Sequence, residues 1–498
     1  MNSLIRNLTF AVLAVSLFLF SSAASAQSCG HWYWQSSNTP AVEAGGPVTT
    51  ITAGTGYQTV LQSCADELQT PNNAAFTAIL RAMVFSESAT ASVGSTYDIE
   101  FSTVKGGVYT VQQEVSRTIR HTINADQPQT DYVAAMLTGL TGGNGYRIRI
   151  RLNGSGTITL NVFANAQGSL AGYGGTRGST NTSSITLSTS WQEIGSVTFN
   201  NTTSDNVDLQ LQGHFTINSG STAGAKISVG LGLEYGSSGN HYSSVYVPPA
   251  TPDSVTVMDH MPNEGVGDTL ISPGSHTIRM WAKINSGTVS ISNRRVEVLP
   301  MGASPAGDSI RLYPFNDTVK THEQNSGPQP QACILLDVSQ SFTACNTTAT
   351  QPQAYPNAGC GNWTKLLEAT VPVNANTVSE YGEAYVEILD KTCDATHPNC
   401  WSGAPSRIQV ALEGVTGGSQ PAATDLILTT ASVPDTTGHL YIPTDGFSWG
   451  NSAGNTVRLW IRFDNCNSPY VAGRQLKIGR VYFGQKWYQN DGTLHIPN

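Results

Sequence analysis

Charge is what this chain has least of. Asp, Glu, Lys and Arg make up 12% of its 498 residues, against about a quarter in a typical soluble protein. The net charge is −9 and there is no basic tail, so electrostatics give no reason to expect a nucleic-acid partner. Past the first 26 residues, no apolar run reaches the roughly 20 residues that a membrane-spanning helix needs. No segment there holds a 3.6-residue apolar period over the length of a long helix. His-Glu-x-x-His, Walker and dinucleotide-binding motifs are all missing, so neither a cofactor nor a metal is expected. Cysteine pairs spaced C-x-x-C are missing as well, which speaks against a structural zinc site.

Gly, Ser, Thr and Asn fill the surface positions instead, Gly alone contributing 49 residues. Short alternating runs, separated by clusters of these residues, continue along the chain. That period of two marks strands with one buried face. Two strings, Arg279-Met-Trp-Ala-Lys-Ile-Asn285 and Arg458-Leu-Trp-Ile-Arg-Phe-Asp464, repeat one pattern, and Arg147-Ile-Arg-Ile-Arg-Leu-Asn153 is a weaker third copy. Arg294-Arg-Val-Glu-Val298 recurs as Arg474-Gln-Leu-Lys-Ile478. Each copy opens on an aromatic: Tyr57, Trp191 and Trp363. The intervals from these to Ile148, Ile278 and Val457 are 91, 87 and 94 residues. A middle strand recurs at Phe76, Val207 and Ala384, and another at Tyr97, Ile227 and Ile408. The sequence therefore predicts an all-β protein of three tandem antiparallel β-sandwich domains.

The expected organisation starts with residues 1–26 as a signal peptide and 27–48 as a lead-in holding the aromatic cluster His31-Trp-Tyr-Trp34. Residues 49–166 form the first sandwich, 167–184 a Gly/Ser/Thr linker and 185–303 the second sandwich. A Pro/Gln/Thr-rich segment follows at 304–359, around a short strand at Ile334-Leu-Leu-Asp-Val338, then the third sandwich at 360–490 and a tail at 491–498. Arg6, the apolar run at 8–20 and Ala24-Ser-Ala26 make the signal-peptide pattern. The run is too short for a membrane anchor, and Ala-Gln-Ser before Cys29 is no lipobox. A secreted, extracellular or periplasmic protein is expected. In that compartment the eight cysteines, Cys29, Cys64, Cys333, Cys345, Cys360, Cys393, Cys400 and Cys466, should all be in disulfides. Loop lengths favour Cys29–Cys64, Cys333–Cys345, Cys360–Cys466 and Cys393–Cys400, though spacing alone does not fix the pairing. His397 and Asp394, between Cys393 and Cys400, leave a metal site as the rival reading.

No catalytic residue stands out. Gly450-Asn-Ser-Ala-Gly454 matches a nucleophile-elbow pattern, but a strand and not a helix follows it, from Thr456, so Ser452 reads as a turn residue. Asp253, Asp259, Glu264 and Asp268 cluster in what reads as an acidic loop whose spacing fits no defined calcium site. No carboxylate pair is singled out for glycoside hydrolysis.

The repeated Trp strand is the better signal. Ile278, Met280, Ala282 and Ile284 should face the core, which turns Arg279, Trp281 and Lys283 outward; Arg458, Trp460 and Arg462 repeat that row. An exposed Trp between cations suits stacking on a sugar ring. A Trp lying across its own sheet, with the cations packed on it, has the stronger physical ground. The Trp191-Gln192-Glu193 step resembles the opening of carbohydrate-binding modules, and Gly274-Ser-His-Thr-Ile278 resembles a late strand of C1q-like heads. Both resemblances imply jelly-roll modules of secreted proteins and raise binding or adhesion as the function. Three functions are expected in order. The first is a binding or adhesion protein for polysaccharide or cell-surface glycan. The second is a self-associating extracellular structural protein, and the third a polysaccharide-active hydrolase or lyase.

Overall fold

The computed structural model describes residues 48–63, 76–124, 128–141, 143–170, 178–202, 208–232, 242–248, 252–261 and 272–301. Beyond these it describes the strands between Thr318 and Gln489. Strands in six antiparallel sheets are the regular structure throughout, and no helix occurs among the described residues. The all-β class expected from the alternation is the observed one.

The first eight strands are β1 (Thr49–Thr52), β2 (Gln58–Gln62), β3 (Phe76–Ala89), β4 (Thr96–Lys105), β5 (Val108–Thr118), β6 (Gln129–Leu140), β7 (Gly145–Leu152) and β8 (Thr157–Leu170). They form two sheets, ordered β1-β8-β3-β6 and β2-β7-β4-β5. This is the strand order of a jelly roll, two Greek keys wrapped into facing sheets. Alternation is cleanest in β7, where Tyr146, Ile148, Ile150 and Leu152 are buried and Arg147, Arg149 and Arg151 turn away. The inward set packs with Ile51, Val60, Leu80, Ile99, Phe101, Val133 and Val162 from both sheets.

Next come β9 (Gly178–Asn181), β10 (Ile185–Thr186), β11 (Gln192–Asn201), β12 (Asp208–Ile217), β13 (Lys226–Gly232), β14 (Tyr242–Tyr246), β15 (Asp253–Met261), β16 (Gly274–Ile284) and β17 (Ser290–Met301). Their sheets run β10-β17-β12-β15 and β11-β16-β13-β14, with β9 added on β17. Phe199, Leu211, Phe215, Ile278, Met280 and Val296 fill the space between. The linker expected at 167–184 is corrected at both ends. Residues 167–170 continue β8 beside β3, and β9 pairs with Arg294–Glu297. Polar residues do not bar a strand when neighbouring strands satisfy the backbone, and Thr favours one.

The remaining strands are β18 (Thr318–Asn325), β19 (Ala332–Leu335), β20 (Gln353–Ala354), β21 (Thr364–Val371), β22 (Thr377–Cys393), β23 (Arg407–Val415), β24 (Leu426–Ser432), β25 (Gly438–Pro443), β26 (Asn455–Phe463) and β27 (Arg474–Gln489). Sheets β18-β27-β22-β25 and β20-β21-β26-β23-β24 repeat the same order, and β19 also pairs β27. The segment at 304–359 therefore contributes strands to this unit, and its short apolar strand lies at Ala332–Leu335. The leader, the His31-to-Trp34 cluster, the cysteine side chains, His397 and residues 450–454 lie outside the described residues.

Register carries the repeat further than spacing does. Gln58 stands opposite Ile150, Gln192 opposite Ala282 and Thr364 opposite Ile461, and a bulge follows at the same point in all three strands. Arg147, Arg279 and Arg458 thus share one position, Arg149, Trp281 and Trp460 the next outward one, and Arg151, Lys283 and Arg462 the third. Ile148 corresponds to Met280 and Leu459, two residues beyond the match implied by the intervals. A shift of two leaves every side chain on its expected face. Between units, β5 lies against β15, β14 against β22 and β25, and β24 against β6.

Candidate functional site

The two indoles are buried: Trp281 is 3% exposed and Trp460 0%. A buried ring cannot meet a sugar, so neither is a stacking platform, and the packed reading of the row replaces it. The cause is the residue across the sheet. Opposite Trp281 stands Gly230 and opposite Trp460 stands Ala411, small residues that leave room for an indole over the strand. At the same position in the first unit, Arg149 stands opposite Glu100.

Arg279 Nε donates to Glu193 Oε2 at 3.1 Å, a surface pair. Lys283 Nζ sits 4.8 Å from the ring centroid of Trp191, a cation–aromatic contact with the opening aromatic of this unit. In register Arg458 stands between Glu368 and Glu413, and Arg462 opposite Gln409; the side chains of Arg458 and Arg462 lie outside the described residues.

The accessible version of this row belongs to the first unit, on the outer face of the β2-β7-β4-β5 sheet. The Arg151 guanidinium lies 4.6 Å, and that of Arg149 5.2 Å, from the ring centroid of Tyr57. Arg147 stacks on Tyr109 at 3.4 Å. Arg149 holds Glu100 in a two-bond fork, Nε to Oε1 at 2.8 Å and Nη2 to Oε2 at 2.6 Å. Arg151 Nε donates to Asp98 Oδ2 at 2.8 Å, and Asn153 Nδ2 to the same oxygen at 2.9 Å.

Asp98 and Glu100 point away from the core yet are buried beneath these groups. Burial pushes both carboxyls up. Donors from Asn153, Ser116 and Arg151 at Asp98, and from Arg149 and Ser102 at Glu100, outweigh it and hold both below the usual range. Tyr109 itself is 41% exposed, between the exposed Val108 and Val111. It is carried up by a two-residue turn, Gly106-Gly107, with φ of 55° and 79°. The sequence flagged Tyr57, Arg149 and Arg151, but nothing local marked Tyr109, which pairs with the row only through hairpin geometry.

A second polar assembly joins the first unit to the second. Arg117 Nη2 meets Asp131 Oδ1 at 2.5 Å and Asp253 Oδ2 at 3.5 Å; Arg120 Nη1 meets the same oxygens at 2.7 and 3.4 Å. Thr118 N donates to Asp253 Oδ1 at 3.1 Å. Tyr97 and Gln129 donate to Asp131 as well. Burial pushes Asp131 up, but the Arg117 and Arg120 charges hold it well below the usual range, while burial raises Asp253. Alongside, Glu297 pairs with Arg295 and lies 3.0 Å from His214 Nε2, and Arg295 Nη1 donates to Gln113 of the first unit at 2.9 Å.

Two carboxylates pushed apart in affinity for a proton can do acid–base work. Here both are buried, with guanidiniums between them, so a substrate has no place. The acidic loop expected around Asp253 is also corrected. Asp253 and Asp259 lie on β15, and Glu264 and Asp268 are outside the described residues. No group of three potential metal ligands occurs among the described residues.

No family model matches the chain, and no curated protein sequence matches it. Similar solved structures include one described as the triple jelly roll fold and turret assembly in an archaeal virus, with 9% identity, 94% of this chain and 97% of that chain covered, and a TM-score of 0.19. PNGase F, a glycosylasparaginase from Flavobacterium meningosepticum, is 11% identical over 62% of this chain and 96% of its own, with a TM-score of 0.25. A structure of infectious bursal disease virus, Gx strain, is 12% identical over 64% and 73%, with a TM-score of 0.19. At such values the jelly-roll assignment rests on this chain's own strand order.

Proposed function

We propose that this chain is a secreted binding protein of three jelly-roll domains, and that polysaccharide binds the outer face of the first domain's β2-β7-β4-β5 sheet. One observation carries the reading. Guanidiniums and aromatic rings alternate there on the face away from the core, and the Tyr109 ring is open to solvent. Sugar rings stack on such aromatics while flanking polar groups receive their hydroxyls. The N-terminal residues that read as a signal peptide support placement outside the cytoplasm. A glycan array on residues 27–498 tests the reading. Wild type should bind, and Tyr109→Ala should lose about tenfold or more in affinity with unchanged melting, as for an interface aromatic. A blank array sinks it.

Self-assembly is the second reading, favoured by the exposed apolar run Val108, Tyr109 and Val111 on the edge strand β5. Light scattering separates the two: a concentration-dependent oligomer dissolved by Val108→Lys supports assembly. A hydrolase draws no support from Asp131 and Asp253, whose carboxylates are closed off.

A further inference from the structure

We infer that the ligand of this face is a carboxylate-bearing polysaccharide whose acid groups are received by Arg147 beside Tyr109; this rests on the polysaccharide-binding reading above. Of the three guanidiniums on β7, two are already matched with carboxylates. Arg149 is forked onto Glu100, and Arg151 bonds Asp98 with Glu114 3.6 Å away. Arg147 has no carboxylate partner among the described residues; its Nε is buried without a hydrogen bond, so a ligand would meet the terminal Nη groups. Its neighbours across the sheet are Gln62 and Ser102, both neutral. The corresponding cations differ: Arg279 is paired with Glu193, and Arg458 stands between Glu368 and Glu413. Among the described side chains at this position, Arg279 has a carboxylate and Arg147 has none.

Its geometry points to a planar anion. The guanidinium carbon lies 3.4 Å over the centroid of the Tyr109 ring, which, with Nε buried, leaves the edge formed by the two Nη groups to meet a ligand. A carboxylate takes two parallel N–H donors from that edge, where a sugar hydroxyl takes one and leaves the charge unanswered. Burial and the nearby Arg149 charge both weigh against the charged form of Arg147, so an arriving anion relieves an existing cost. Lys105 adds a second cation at the hairpin tip, bonded through Nζ to Thr141 Oγ1. The exposed Tyr109 ring, with Val111 two residues on and on the same face of β5, offers the apolar surface on which the uronate ring lies. Charge and ring thus sit one sugar residue apart or closer, as a chain of uronates requires.

The test uses the full mature chain, with polygalacturonate and the same polymer reduced at its carboxyls to the neutral sugar, followed by calorimetry at two salt concentrations. Polygalacturonate should bind at least about tenfold more tightly than the reduced polymer, the size expected for one lost charge-assisted fork. Its affinity should fall as salt rises. Arg147→Gln should remove the difference between the polymers. Arg147→Lys should restore only part of it, since an ammonium neither stacks flat nor forks. Arg279→Gln should change nothing, and melting temperatures show that each variant is folded. Equal binding of the two polymers, or a preference surviving Arg147→Gln, overturns the inference and leaves polysaccharide binding standing. Failure of both polymers beside a positive array also overturns it, whereas failure beside a blank array takes the underlying reading with it.

Discussion

One outward position in three equivalent strands holds Arg149, Trp281 and Trp460, and its fate is decided by Glu100, Gly230 and Ala411 across the sheet. Trp281→Ala should therefore behave as a core substitution. A loss of about 3–5 kcal/mol in chemical denaturation is expected, with glycan affinity unchanged; lost binding with intact stability would restore the platform. Asp131 gives a second residue-scale outcome. Its folded pKa is held below the ordinary 3.8, so its ionised form stabilises the fold above that pH. That contribution drains away as pH falls below about 4 toward the folded value. Asp253, raised by burial, acts oppositely: its contribution is present at low pH and is lost as pH rises. Removing one partner of a buried pair costs about 3–5 kcal/mol, so Asp131→Ala should be strongly destabilised at pH 7 and nearer to wild type at pH 3. Denaturation midpoints at the two pH values check this.

The strands were the most legible part of the chain, because burial of one face forces a period of two. Tyr97, Ile227 and Ile408, matched from the sequence, occupy equivalent positions opposite Leu152, Ile284 and Phe463. Illegible was whatever depends on which strand lies next door. Whether an outward Trp is open or covered turns on a neighbour far away in sequence, as Gly230 is from Trp281. Tyr109 reaches Arg147 only because β4 and β5 fold back at Gly106-Gly107. The turn itself can be tested. Gly107 has φ of 79°, where a β-branched residue pays about 1–2 kcal/mol. Gly107→Val should lower stability by that amount and weaken ligand binding by misplacing Tyr109. An unchanged midpoint would mean that another turn type is tolerated there.

Buried charge joins the first two units. Arg117 and Arg120 reach from the first unit to Asp253 of the second, and Gln113 accepts from Arg295. Such an interface should make the pair unfold together. Differential scanning calorimetry should show one transition for both, and Asp253→Ala, which takes the second unit's carboxylate out of the cluster, should split it into two. Two resolved transitions in the wild type would show the units to be energetically independent. Little of this was readable in advance, because Asp131 and Asp253 are brought together only by docking.

Contact of β5 with β15, of β14 with β22 and β25, and of β24 with β6 is head-to-tail contact that returns to its start. Three identical copies could close the same ring, but each would then carry the same face, and the assembly would be trivalent toward a polymer. A single chain escapes that symmetry. It keeps an ionic face in one unit and fills the matching position with indole in the other two. On the proposed reading it is monovalent, so it coats a polysaccharide without bridging strands, and mixtures of the two should stay clear where a trivalent lectin would form a precipitate or a gel.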